Sequence, residues 1–169
     1  LPVLRIAHLY PDLLNVAGDG GNVMSVVSRA AWRGLRTEVV RVGLDDVPDF
    51  ESFDLIFFQG GQDVEMMVAA RDLAAKGPAL RAAAEAGVVV VAVCAGLQLL
   101  GHRYILSSGE EIPGVSVLDL ETVAGPTRFM QHAACRVTIG SQTNLVAGFE
   151  NHSGRTTLGP DADPFGMVV

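Results

Sequence analysis

Lysine is almost missing from this 169-residue chain; Lys76 is the only one. With 12 basic residues against 19 acidic ones the formal charge is −7. An extended phosphate-binding surface needs clustered Lys and Arg, so nucleic-acid binding is not expected. Cysteine is scarce too. Cys94 and Cys135 form no Cys-x-x-Cys pair and no Cys/His spacing of a zinc site. Neither a metal nor an organic cofactor is expected. A secreted domain of this size would more often carry several disulfides. Leu1-Pro-Val-Leu-Arg5 runs straight into a strand pattern without a signal-peptide layout, so a reducing cytoplasm is the expected location. No apolar run approaches the roughly 18 residues of a membrane-spanning helix. The longest, 88–95, is bounded by Gly87 and Gly96 and reads as a buried strand. Repeats, low-complexity tracts and linkers are absent as well.

What is there is apolar: 49% hydrophobic residues and a mean hydropathy of +0.34 exclude a disordered tail. The length suits one domain with one core. Strand and helix signals alternate over the first hundred residues, which predicts an α/β fold: an open, mostly parallel sheet with helices on both faces. Strands are expected at Val3–Leu9, Thr37–Val42, Leu55–Phe58 and Val88–Val93. Asn22 is placed as the cap of a helix running to about Gly34, with Val23, Val26, Val27 and Ala30 at helical spacing. A second helix is expected from Asp63 to Lys76, ended by Gly77-Pro78 before a short Ala-rich helix. Another follows from Ala95 to about Leu100. After Gly109, short runs at Val115–Leu120, Ala134–Ile139 and Thr156–Leu158 suggest added antiparallel strands in the C-terminal third.

Val93-Cys94-Ala95-Gly96 joins a buried strand to a helix. A residue on such a turn is pushed out above the sheet edge, as in a nucleophile elbow with cysteine in place of serine. A helix N-terminus there favours negative charge, hence a thiolate, and the Ala95 amide would point at a developing oxyanion. A buried, inert cysteine is the competing reading. Cys135 lies inside a strand-like run and reads as packing. Gly60-Gly61-Gln62-Asp63 follows the third strand, where open α/β sheets bind ligands, and could supply the second oxyanion donor. Asp19-Gly20-Gly21-Asn22 could cradle a phosphate but lacks the Lys-Ser/Thr of a P-loop, so a shaped loop is favoured. The histidines fall in the first strand (His8), beyond the Cys94 helix (His102), in a loop near Arg128 (His132) and in Asn151-His152. Sequence alone does not say which reaches Cys94.

Four segments carry a resemblance: Leu9-Tyr-Pro-Asp-Leu-Leu-Asn15, Gly60-Gly-Gln-Asp63, Val93-Cys-Ala-Gly-Leu-Gln-Leu-Leu-Gly101 and Gly148-Phe-Glu-Asn-His-Ser-Gly-Arg-Thr156. Together they resemble the class I glutamine amidotransferases of the cobyric-acid-synthase (CobB/CobQ) type. More narrowly, they are similar to the GatD family, glutaminase subunits of lipid II isoglutaminyl synthase that pair with the ligase MurT. The resemblance covers nearly the whole chain. It implies that Cys94 attacks the side-chain amide of glutamine to give a glutamyl thioester, with oxyanion donors at Ala95, Gly60 and Gly61. It also implies that Arg128 binds or admits the glutamine. Ammonia would pass to a MurT-like ATP-dependent ligase in a heterodimer, which amidates the D-glutamate of lipid II in peptidoglycan synthesis. Cobalamin-type amidation, or a non-catalytic amidotransferase-like binding domain, are the alternatives. Ala92 stands where an amidotransferase elbow often has glycine. The family's catalytic histidine belongs to a later segment that no residue up to Val169 matches, so residues 1–169 are expected to be a single amidotransferase domain lacking its C-terminal segment.

Overall fold

A computed structural model describes residues 2–15 and 20–169. The first half is built from β1 (Val3–Leu9), α1 (Gly20–Ala31), β2 (Arg36–Val42), β3 (Leu55–Phe58), α2 (Asp63–Glu85), β4 (Val89–Ala92) and α3 (Ala95–Leu100). The four strands form one sheet in the order β2-β1-β3-β4, with every pair parallel. Register puts Leu9 beside both Val42 and Phe58, and Phe58 beside Ala92. Side chains alternate across a strand, so one face carries Ala7, Leu9, Val42, Ile56 and Phe58. These residues share a core with Met66, Ala69, Ala70, Leu73 and Leu80 of α2. The opposite face meets α1, whose Val23 and Val27 line a cavity with His8 and Arg41. The predicted doubly covered parallel sheet is thus present.

Two helix boundaries differ from the sequence reading. Helix α1 starts at Gly20, whose amide donates to Asn15 Oδ1 at 2.9 Å, so Asn22 lies inside the helix rather than capping it. The cap reaches across from the residue that follows the β1 turn, which local spacing does not reveal. Asp19, at the front of the expected loop, lies outside the described residues. The helix stop is as expected at Gly34 (φ +73°), with Leu35 N–H bonded to Ala30 O and Gly34 N–H to Ala31 O. That pair of bonds is the Schellman pattern, which needs a left-handed residue.

Gly77-Pro78 does not divide α2, which continues through Pro78 to Glu85. An interior proline costs about 3 kcal/mol because it loses its bond to residue 74 and crowds that turn. Both halves of α2 are fastened to the same core, by Met66, Ala69 and Leu73 before the proline and Leu80 and Ala83 after it. Burying a side chain such as Leu80 fully stabilises by about 1.5–3 kcal/mol, so several of them outweigh the break. Gly77 serves a different purpose. A Cβ there would sit 2.9 Å from Val115, so glycine lets the chain at Val115 press onto the helix.

Lys76 belongs to a buried cluster at the end of β1. Tyr10 Oη donates to Asp72 Oδ2 at 2.6 Å, the Asp45 amide donates to Asp72 Oδ1 at 2.9 Å, and Lys76 pairs with the same carboxylate. Burial alone would raise the Asp72 pKa, but the bonds from Lys76, Tyr10 and the Asp45 amide together hold it below the usual carboxylate value. Burial, then the Asp72 bond, pushes the Tyr10 phenol well up.

The second sheet contains β5 (Arg103–Ile105), β6 (Glu111–Pro113), β7 (Leu120–Ile139), β8 (Gln142–Leu158) and β9 (Gly166–Val168). Its order is β6-β5-β7-β8, with β9 added antiparallel along β7. The expected strand at Val115–Leu120 is instead an irregular stretch up to residue 119, and β7 begins at Leu120. Its amides serve the open end of α3: Val115 bonds Leu99 O, Ser116 bonds Gly101 O and Leu118 bonds Leu100 O. Helix C-terminal carbonyls lack intrahelical partners, and this segment satisfies them. The other two expected strand fragments are parts of a much longer ribbon, β7–β8, turned at Gly140-Ser141 with Gly140 at φ +60°. Its pairing is interrupted between Ala124 and Phe129. Among the described residues, no helix is long and apolar enough to cross a membrane.

Candidate active site

Strands β3 and β4 end side by side, and the chain leaves each by a tight turn. At the end of β4, Cys94 is exposed and adopts φ 52°, ψ −114°, a conformation that L-residues rarely take. Such a residue carries strain of order 1–3 kcal/mol, sustained only because its surroundings fix it. Here the fixing is visible. Val93 N–H bonds Phe58 O at 2.9 Å and Gly96 N–H bonds Gln59 O at 3.0 Å, so the start of α3 is tied to the end of β3. Gly96 is required by that contact, since a Cβ would fall 2.5 Å from Phe58 O. Ala92 is accommodated in the ladder opposite Phe58. Cys135, by contrast, is paired with Val146 within the ribbon and is half-buried.

Gly60 and Gly61 lie beside Cys94 on the wall of one cavity of about 700 Å³. Gly61 is held from behind by the fully buried Leu14, which a Cβ at Gly61 would meet at 2.3 Å. Leu14 in turn hangs from the β1 turn through its amide bond to Tyr10 O at 2.8 Å. Among the described residues, the amides of Gly60, Gly61 and Ala95 make no hydrogen bond. Gly60 and Gly61 are on the cavity wall, whereas Ala95 is 1% exposed and is not part of it.

The ribbon supplies the far wall. Arg128, expected in a loop, sits in the interrupted stretch of β7. Its Nε donates to Asn151 Oδ1 at 2.6 Å, and its two terminal nitrogens make no hydrogen bond among the described residues. Arg155 holds that stretch: its guanidinium lies 3.9 Å above the Phe129 ring, and it donates to Thr127 O at 3.0 Å and Ser153 O at 2.7 Å. Arg128 is therefore presented to the cavity that Cys94 lines.

Of the four histidines, His152 alone lines this cavity. Its Nδ1 faces Gly154 O at 2.8 Å and its Nε2 faces Glu150 Oε2 at 2.9 Å, so both ring nitrogens have partners other than Cys94. The other three stand elsewhere. His8 is buried in β1 against the Gln59 side chain, and burial, then the nearby Arg41, keeps its pKa below the ordinary value. His102 is fixed between Ser116 Oγ (2.9 Å) and Asp119 Oδ1 (2.8 Å). His132, expected in a loop, is a β7 residue packed edge-on against Phe149.

The structure adds Gln98, Glu150, Asn151 and Thr156 to the cavity wall. Gln98 could have been found from its spacing, one helical turn after Cys94. Glu150 and His152 could have been found as i, i+2 neighbours on one strand face, had that strand been legible. No cluster of three or more His, Cys, Asp or Glu side chains able to hold a metal occurs among the described residues.

The CobB/CobQ-like glutamine amidotransferase domain matches residues 5–169. The chain is 39% identical over 167 residues to the lipid II isoglutaminyl synthase (glutamine-hydrolyzing) subunit GatD of Streptococcus pneumoniae, covering 98% of this chain and 64% of that protein. It is 34% identical over 154 residues to GatD of Staphylococcus aureus, covering 90% of this chain and 62% of that one. A cobyric acid synthase of Nocardia farcinica is 36% identical over 118 residues, covering 68% of this chain and 22% of its own length. The chain thus spans a little under two thirds of the two GatD proteins. A strand–Cys–helix turn facing a glycine pair, within a match to residues 5–169, means that the chain belongs to the CobB/CobQ-like glutamine amidotransferase domain family.

Proposed function

We propose that this chain is the glutamine-hydrolysing part of an amidotransferase that supplies ammonia to a MurT-like, ATP-dependent ligase for amidating lipid II. The observation that carries the reading is the meeting, on one cavity, of the strained Cys94 with Gly60 and Gly61, whose amides make no hydrogen bond among the described residues; the Ala95 amide follows Cys94 at the start of α3. The Cys94 thiolate attacks the glutamine side-chain carbonyl, and the oxyanion is received by those amides. Ammonia leaves with a proton from a general acid, giving a glutamyl thioester, and water then releases glutamate and restores the thiol. Arg128 binds the α-carboxylate of the substrate, for which a guanidinium fork with both ends uncommitted is suited. His152 contacts Gly154 O and Glu150 rather than Cys94, and the group that moves the protons is left unassigned in this reading.

Handing ammonia directly to a ligase is chemically sensible, since free ammonia at neutral pH is mostly the non-nucleophilic ammonium ion. The GatD relatives favour the lipid II reading over cobalamin amidation, because they are 39% and 34% identical over 98% and 90% of this chain, whereas the cobyric acid synthases combine 36% with 68% of the chain or 29% with 99% of it. The test is glutamate release by the full-length protein with and without a MurT-type ligase. Cys94→Ala should reduce turnover to background in both settings. Retention of turnover by that variant would end the proposal.

A further inference from the structure

Among the described residues, Glu150 is the one acidic side chain on the wall of the 700 Å³ cavity, and the hydrolysis just described leaves it without a part. It is held firmly. Gln131 Nε2 donates to Oε1 at 2.5 Å across the ribbon, and His152 Nε2 donates to Oε2 at 2.9 Å. The bond from His152, then that from Gln131, keeps its carboxyl below the usual range. A carboxylate offers about four acceptor sites, so one lone pair on each oxygen is still available. Its chain neighbour Asn151 anchors Arg128 at Nε and leaves the guanidinium fork open. The wall of one cavity therefore carries both an anchored anion and an anchored cation, each supported by other side chains rather than by the other.

That pairing matches the charged end of a free amino acid, which bears an ammonium and a carboxylate on one carbon. We infer that Glu150 receives the α-ammonium group of glutamine, opposite the α-carboxylate on Arg128, and so restricts the site to the free amino acid. The inference rests on the glutaminase reading. Glutamine within a peptide, whose α-nitrogen is acylated and uncharged, would place a neutral amide against Glu150 and be refused.

The test uses the full-length protein and two substrates, glutamine and 4-carbamoylbutanoate, which is glutamine without its α-amino group. Wild-type protein should favour glutamine by on the order of 10²-fold in kcat/KM. Glu150→Gln keeps an acceptor for His152 and removes only the charge. It should lower kcat/KM for glutamine by roughly tenfold or more, chiefly through KM, and change that for the analogue by less than about threefold. Protection of Cys94 from iodoacetamide by each compound gives the same comparison without turnover.

Equal losses for both substrates would assign Glu150 a structural role and overturn the inference. Collapse of the preference in Asp63→Asn, which alters the adjoining cavity, with Glu150→Gln unaffected, would overturn it as well. A wild-type protein that neither hydrolyses glutamine nor is protected by it would sink the glutaminase reading itself. Normal turnover with an unchanged preference in Glu150→Gln would sink the subsite alone.

Discussion

Cys94 and Cys135 share a chemistry and differ in placement, one exposed on a turn and the other half-buried in a ribbon. Limiting iodoacetamide should therefore label Cys94 first, and peptide mapping that found Cys135 ahead would contradict its assignment as the accessible nucleophile. Gly61 makes a second prediction. Because its absent Cβ is the space that Leu14 fills, Gly61→Ala should destabilise by about 1–3 kcal/mol in urea denaturation. Leu14→Ala alone should cost about 2–5 kcal/mol. The double variant should lose less than the sum, since the smaller side chain makes room for the new methyl; strict additivity would mean the two do not touch.

At the level of elements, the β1 turn is fastened to α2 through Asp72. Tyr10→Phe removes one charged hydrogen bond and should cost about 1.5–3 kcal/mol. Asp72→Asn breaks the pair with Lys76 and should cost on the order of 3 kcal/mol at pH 7. The pH dependence follows from the direction of the Asp72 shift. Its folded pKa is depressed, so its stabilisation is present above the unfolded value of about 3.9 and is lost as pH falls through the lower folded value. The gap between wild type and Asp72→Asn should narrow below about pH 4, and a gap that stays constant down to pH 2.5 would show that the charge is not what stabilises.

The elements that sequence made legible were those whose signal is local. Leu55–Phe58 and Ala95–Leu100 stood out because apolar runs end at glycine or a turn, and the Cys94 turn followed from them. Pro78 misled because its cost is local while its compensation, Leu80 and Ala83 in the core, is tertiary. Val115–Leu120 misled in the opposite sense: its apolar residues pack against the core, most of them partly buried, but the amides of Val115, Ser116 and Leu118 go to the end of α3. The strand that carries Glu150 and His152 stayed hidden because Gly, Ala, Asn and Ser residues in an exposed ribbon carry little strand preference.

Taken whole, the molecule joins a buried parallel sheet to an exposed antiparallel ribbon. Ile6, Leu9 and Phe58 are fully covered, whereas Ile139 and Leu145 near the ribbon's turn are 63% and 69% exposed. Native-state hydrogen exchange should divide along this line. Amides of β1 and β3 should exchange only by global opening, while those near Thr138 and Thr143 should exchange by local fraying. Uniform protection across both would refute the division. For the same reason Leu145→Lys should change stability by no more than about 0.5 kcal/mol, measured by thermal denaturation.

The backbone of Cys94 carries this contrast into the melting curve. At φ 52° a side chain is tolerated there, not preferred, and glycine is the residue that fits without penalty. Replacement of the thiol by glycine should end any chemistry at this position and yet yield a hardier protein. Relief of about 1–3 kcal/mol of strain is set against about 0.4–1 kcal/mol of added freedom in the unfolded chain. Cys94→Ala keeps the strain and loses the sulfur, so Cys94→Gly should melt above it by several degrees. The active protein would then be less heat-resistant than its own inactive variant, with robustness given up at a single peptide unit so that a sulfur atom can face the cavity.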